Sequence, residues 1–180
     1  MKTLLTHLAQ SRLFWLAVFI ICACLEGGAL YFQHVLGVNE DGQKVFYQPC
    51  ELCIYTRVWL ALIAIVAIIG MITCKAKWLR RAVLSIQTLL VIGLSNEVYS
   101  LLKVEYQFGD GGSCKFRANF YDWMPLDQWF PNVFEVKDMC QATPAVFGSF
   151  TMVHGLTLVC GLLLSVFVIS AFQEWQKSKS

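Results

Sequence analysis

From Leu60 to Ile72 the chain reads LALIAIVAIIGMI, apolar on every face of a helix, and it lies in the second of four apolar blocks that are each long enough to cross a membrane. The blocks run over 13–32, 54–73, 82–102 and 145–172. At about 1.5 Å per residue, twenty residues of helix cover roughly 30 Å, the thickness of a bilayer core. Buried helices of soluble proteins are usually shorter and carry a polar stripe. The sequence therefore predicts an all-α membrane protein, a four-transmembrane-helix bundle forming a single membrane domain over 1–180. Composition agrees: 57% of the 180 residues are hydrophobic and 14% charged, against roughly half and a quarter in an ordinary soluble domain. A net charge of +2 and the lack of a Gly-rich phosphate loop give no support to nucleic-acid or nucleotide chemistry.

Charge orients the spans. Lys2, Arg12, Lys75, Lys77, Arg80, Arg81, Lys177 and Lys179 fall on one side with Glu174 as the only acid there. The other side holds Lys44, Lys103, Lys115, Arg117 and Lys137 against Glu40, Asp41, Glu51, Glu105, Asp110, Asp122, Asp127, Glu135 and Asp138. The positive-inside rule puts both termini in the cytoplasm and the loops 33–53 and 103–144 outside. The first block has an alternative reading as a cleavable secretory signal, with Cys22 and Cys24 near a lipoprotein-like site. Its apolar run continues past that site to Phe32, and cleavage would leave three spans with a reversed charge bias.

The eight cysteines sort by side. Cys22, Cys24 and Cys160 fall inside spans and Cys74 at the inner end of the second, where cysteine behaves as a small hydrophobe. Cys50, Cys53, Cys114 and Cys140 all lie in the outer loops, which points to disulfide chemistry. Inert staples and a four-cysteine zinc site compete with a redox reading. Zinc sites usually combine two close pairs, whereas Cys114 and Cys140 are far apart in sequence. Staples suit Cys114 and Cys140, but Cys50-Glu51-Leu52-Cys53 closes a ring too small to constrain much of the unfolded chain. C-x-x-C is the spacing of exchange-active dithiols.

Position adds a reason for reactivity. Cys53 precedes the apolar run of the second span and so occupies the first turn of its helix, where free N–H groups and the dipole favour a thiolate. Arg57 lies one turn deeper on the same face. It is either a snorkelling border residue or a cation that stabilises negative charge on sulfur or on a bound acceptor. The segment 120–134, with Trp123 and Trp129, reads as an interfacial helix lying on the membrane. Glu26, Glu97 and His154 are ionisable groups at membrane depth, either a proton route or polar links between helices.

These residues resemble a known family. ALYFQHV (29–35), PCELCIYTR (49–57) and the cysteines Cys114 and Cys140 flanking FYDWMPLDQWFPNVF (120–134) are collinear with the bacterial DsbB family of disulfide bond formation proteins. The resemblance covers most of the chain. It implies a protein-disulfide oxidoreductase of the bacterial inner membrane that reoxidises a periplasmic thioredoxin-fold partner of the DsbA kind and passes the electrons to a quinone, ubiquinone or menaquinone, without metal or flavin. By the same resemblance, Cys114 and Cys140 form the loop disulfide attacked by the partner, with Cys114 in the mixed disulfide. Cys140 hands electrons to Cys50, Cys53 is the thiolate beside the quinone, and Arg57 polarises a quinone oxygen. No oligomer is required. The chain departs from the pattern in a longer first loop (NEDGQKVFYQ, 39–48) and in offering Leu101 or Lys103 where a histidine sometimes stands near the quinone. Two other classes compete: a non-enzymatic four-span protein with stapled loops in the style of tetraspanins, which leaves the C-x-x-C unexplained, and a relative of vitamin K epoxide reductase, where the C-x-x-C lies near the end of the bundle.

Overall fold

The computed structural model describes residues 11–34, 37–38, 44–45, 49–106, 120, 125–137, 145–147 and 150–179. Among the described residues, four helices are long and apolar enough to cross a membrane: α1 Arg12–His34, α2 Glu51–Thr73, α3 Lys77–Glu105 and α6 Met152–Lys179. Two single-turn helices, α4 Leu126–Trp129 and α5 Pro131–Phe134, precede α6. The only other regular structure among the described residues is two short antiparallel pairings, β1 Gly37–Val38 with β2 Lys44–Val45 and β3 Ala145–Phe147 with β4 Phe150–Thr151. The all-α class and the four spans are as the sequence predicts.

The boundaries differ in instructive ways. Ser11 starts α1 as a cap, its Oγ accepting the Leu13 N–H at 3.2 Å, the usual role of serine at this position. The helix α2 begins at Glu51, before its apolar run, and α3 begins at Lys77, because a helix once formed continues through polar residues beyond the apolar layer. The fourth apolar block begins at residue 145, but its first residues pair as β3 and β4 and the helix opens only at Met152. A short apolar run cannot be told from a strand by hydropathy alone. The segment predicted as one interfacial helix is broken at Phe130, which takes φ −135° and ψ 66°. Pro131 causes the break, since a proline disfavours helical geometry in the residue before it while itself suiting the first position of α5. Neither short helix buries a residue, and Trp129 and Phe130 are both exposed, as expected of an amphipathic surface segment. Trp123 lies outside the described residues.

The chain divides into two compact units. The first comprises Met1–Leu25, Trp59–Ser95 and Leu158–Ser180, and its four helical segments pack as a bundle. In a membrane, helices gain little from burying apolar surface against one another and rely on close approach and interhelical hydrogen bonds. Both occur. A Cβ on Gly70 would lie 2.4 Å from the fully buried Trp15 ring, and one on Gly93 2.5 Å from Trp59. Trp15 also meets Phe167 at 6.0 Å between centroids. Gln87, fully buried, donates to the Ile63 carbonyl at 3.3 Å. At the Cys74–Ala76 turn, Arg80 donates to Glu174 at 2.9 Å and to the Cys74 carbonyl at 3.2 Å. Leu13, Ile72, Leu89, Leu158 and Phe172 are exposed, the outward apolar surface that lipid requires.

The second unit comprises Glu26–Val58 and Asn96–Thr157. It holds the ends of the four long helices that adjoin the loops, together with α4 and α5, and it contains the C-x-x-C.

Candidate functional site: a capped dithiol beside a buried arginine

Cys50 stands at the N-cap of α2, its carbonyl accepting the Ile54 N–H at 3.1 Å. Its sulfur accepts the Cys53 N–H at 3.3 Å, the bond that a serine or aspartate cap would make with the third helical residue. The two sulfurs lie 2.6 Å apart. Cys50 is buried and Cys53 half-buried. The hydrogen bond to Cys53 pushes the Cys50 thiol up from its ordinary value, and burial and the neighbouring Cys53 charge act in the same direction. Either sulfur can donate in this contact; with the Cys50 thiol pushed up, donation from Cys50 leaves the negative charge to the Cys53 sulfur. The first turn of α2 suits this charge, with the Cys53 carbonyl tied off by the Thr56 hydroxyl at 2.8 Å.

Arg57 follows one turn on, at 5% exposure. Its Nη1 donates to Gln33 Oε1 on α1 at 2.7 Å and to the Val133 carbonyl of α5 at 2.8 Å. Its Nε lies 3.9 Å from Glu26 Oε1, also on α1. Gln33 completes the clamp by donating from Nε2 to the Asn132 carbonyl at 3.0 Å. A buried guanidinium is tolerable only with its donors answered, and here α1 and the loop helix α5 both answer it.

Further contacts seat the loop segment on the dithiol. The Lys137 N–H donates to the carbonyl of Pro49 at 3.1 Å. Phe120 meets Tyr55 and Phe134 edge-on at 6.1 and 6.4 Å, and the Tyr55 hydroxyl donates to Glu51 at 3.2 Å. The arrangement is a dithiol next to a fixed cation, with Phe120 set between Tyr55 of the same helix and Phe134 of the loop. Such a group can exchange disulfides and hold a planar, oxygen-bearing acceptor.

Cys50, Cys53 and Arg57 are thus brought together as their spacing predicts, whereas Cys114 and Cys140 lie outside the described residues. Cys22, Cys74 and Cys160 are buried and Cys24 exposed; Cys160 contacts the Ser95 hydroxyl at 3.1 Å and Cys74 the Met71 carbonyl at 3.4 Å, the contacts of packing thiols. Glu97 on α3 feels the charge of Glu51. His154 bonds Tyr106 at 2.5 Å and Thr151 at 2.7 Å, and Thr151 in turn donates to Glu105 at 2.8 Å, a polar chain joining α3 to the start of α6. Leu101 is buried, and Lys103 sits 5.0 Å over the Tyr99 ring. Reading the sequence missed Gln33 and the carbonyls of Asn132 and Val133. A glutamine in ALYFQHV, directly after the first apolar block, was the one available signal.

Comparison with known proteins gives a consistent result. The family profile described as "Disulfide bond formation protein DsbB" matches residues 11–170. A relative from Histophilus somni (strain 129Pt) named "Disulfide bond formation protein B" is 33% identical over 180 residues, covering 95% of this chain and 92% of its own. Relatives of the same name from Shewanella loihica and Aeromonas hydrophila are 30% and 31% identical, covering 97% of this chain and 98% and 96% of theirs. With the capped C-x-x-C and four membrane-crossing helices already in place, these matches show that the chain belongs to the DsbB family of disulfide bond formation proteins.

Proposed function

We propose that this protein is a quinone-reducing protein-disulfide oxidoreductase of the bacterial inner membrane, a single membrane domain over 1–180 with both termini cytoplasmic. It reoxidises a periplasmic thioredoxin-fold dithiol oxidase of the DsbA kind. The observation that carries this reading is the Cys50–Cys53 pair at the N-terminus of a membrane-crossing helix with a buried Arg57 one turn deeper. An inert staple has no use for a polarised sulfur pair or for a cation beside it.

The electron path runs from the partner's dithiol to Cys114 and Cys140, then to Cys50 and Cys53, and then to the quinone, which when bound accepts two electrons and two protons. One disulfide and one quinone each take an electron pair, so turnover balances without metal or flavin. Within the chain, Cys53 supplies the reactive sulfur and Cys50 holds the proton and reforms the disulfide. Arg57 places positive charge where an acceptor oxygen gains electron density. Two features here suit a quinone head group: the guanidinium charge and the aromatic segment at Phe120 and Phe134.

The test is anaerobic mixing of the purified protein with a reduced DsbA-like oxidase and a soluble quinone analogue, followed by quinone absorbance. Wild type consumes quinone in step with thiol oxidation, and Cys50→Ser and Cys53→Ser abolish it. Retention of more than a few per cent of the rate in either variant overturns the reading.

A further inference from the structure

We propose that Glu26 is a positioning residue that sets, through Arg57, how readily Cys53 ionises. The inference deepens the proposed function and rests on that reading for its purpose.

Glu26 and Gln33 stand two turns apart on α1 and so share a face, and both reach Arg57. Their contacts differ in kind. Gln33 makes a short bond at 2.7 Å, whereas Glu26 offers one oxygen at 3.9 Å, and its Oε2 is buried without a hydrogen-bond partner among the described residues. A carboxylate used as a structural anchor looks different in this same protein. Glu174 places one oxygen 2.9 Å from Arg80 and the other 3.8 Å from Arg81, so both are engaged by cations. An unanswered buried carboxylate oxygen costs stability, and a purely structural acid has no reason to keep one.

What Glu26 does face is a shared cation. Among the described residues, the ionisable groups whose charges act on Arg57 are Glu26 from α1 and Cys53 and Cys50 at the start of α2. From α5 only the Val133 carbonyl reaches it, and Glu97 of α3 is set against Glu51 instead. Two acids, a carboxyl and a thiol, thus compete for one guanidinium. When Glu26 is ionised it neutralises part of that charge and Cys53 holds its proton more firmly. When Glu26 carries a proton, the charge of Arg57 is available to a Cys53 thiolate. The carboxyl touches neither sulfur nor acceptor in this scheme and works only by way of Arg57.

The test uses the full-length protein, reduced and quinone-free in detergent, with pulsed iodoacetamide alkylation of Cys53 read by peptide mass spectrometry across pH. Glu26→Gln removes the charge at constant shape. The pH midpoint of Cys53 alkylation should fall by about one unit, a tenfold gain in thiolate below the midpoint. With Arg57→Ala the midpoint should rise, and adding Glu26→Gln to it should no longer move it. Glu26→Asp, which keeps the charge on a shorter arm, should give a midpoint between wild type and Glu26→Gln, and serves if the glutamine variant does not fold. An unchanged midpoint in the variant that folds, or a Glu26→Gln shift that persists undiminished without Arg57, overturns the proposal. Because no quinone enters the measurement, failure here leaves quinone reduction by wild type untouched. Failure of quinone reduction, conversely, would leave this titration readable.

Discussion

The clamp on Arg57 makes a quantitative prediction. Gln33→Leu keeps the side-chain volume of a residue at 8% exposure while removing two hydrogen bonds. The bond from Arg57 is charge-assisted and buried at 2.7 Å, which sets its worth at about 1.5–3 kcal/mol, and the bond to the Asn132 carbonyl adds about 0.5–1.5 kcal/mol. The single variant should therefore lose roughly 2–4.5 kcal/mol, as the sum of these two bonds. Part of that loss disappears when Arg57 is already absent. A double-mutant cycle of Gln33→Leu with Arg57→Met should show a coupling of about 1.5–3 kcal/mol, the charge-assisted bond alone. Unfolding titrations in mixed detergent give the four free energies, and the KM for a quinone analogue should rise in the single variant with kcat less affected if the clamp orients Arg57 before the reaction. Additivity within about 0.5 kcal/mol, the ordinary error for independent sites, would refute the claim that Gln33 holds the arginine.

Other consequences follow from single contacts. Because Cys50 is pushed up by its hydrogen bond to Cys53, its thiol form persists above the ordinary thiol range; alkylation of the reduced protein at neutral pH should mark Cys53 first, and Cys50 should react only as the solution becomes strongly alkaline, by peptide mass spectrometry. Gly70→Ala forces a Cβ to 2.4 Å from the fully buried Trp15 ring and should cost about 1–3 kcal/mol by overpacking, whereas Gly161→Ala, with nothing within 4 Å, should unfold like wild type. Glu174→Leu strips the partner from Arg80, each side chain being almost fully buried, and should cost about 3–5 kcal/mol in the same titration.

Much of this architecture was legible in the sequence, and the parts that were not share a cause. Hydropathy locates spans well because the bilayer demands internally satisfied backbone over a fixed thickness. It says little about where a helix begins outside that layer, so α2 starts at Glu51 and α3 at Lys77, beyond their apolar runs. It also reads Ala145–Phe147 as span when those residues pair with Phe150–Thr151. Within the site, Cys53 and Arg57 were legible because the helical repeat alone puts them on one face. Gln33 and the loop carbonyls were not, since the partners of the two clamp bonds lie 76 and 99 residues apart in sequence, and no local periodicity carries such information.

The same long-range contacts explain why an arginine can sit so deep. A guanidinium at 5% exposure in the first turns of a membrane helix would ordinarily snorkel outward. Here Val133 brings a backbone carbonyl from the loop to the arginine, and Pro131 makes that possible by ending α4 and starting α5 at the required place. Loop and cation are therefore interdependent. The segment that seats on Arg57 also bonds Pro49 through the Lys137 N–H, so its position bears on both sides of the C-x-x-C at once. Under the proposed function the exchange cysteines Cys114 and Cys140 flank this segment in sequence, and its register against the dithiol is set by its backbone groups, which depend on the fold of 125–137 more than on its side chains.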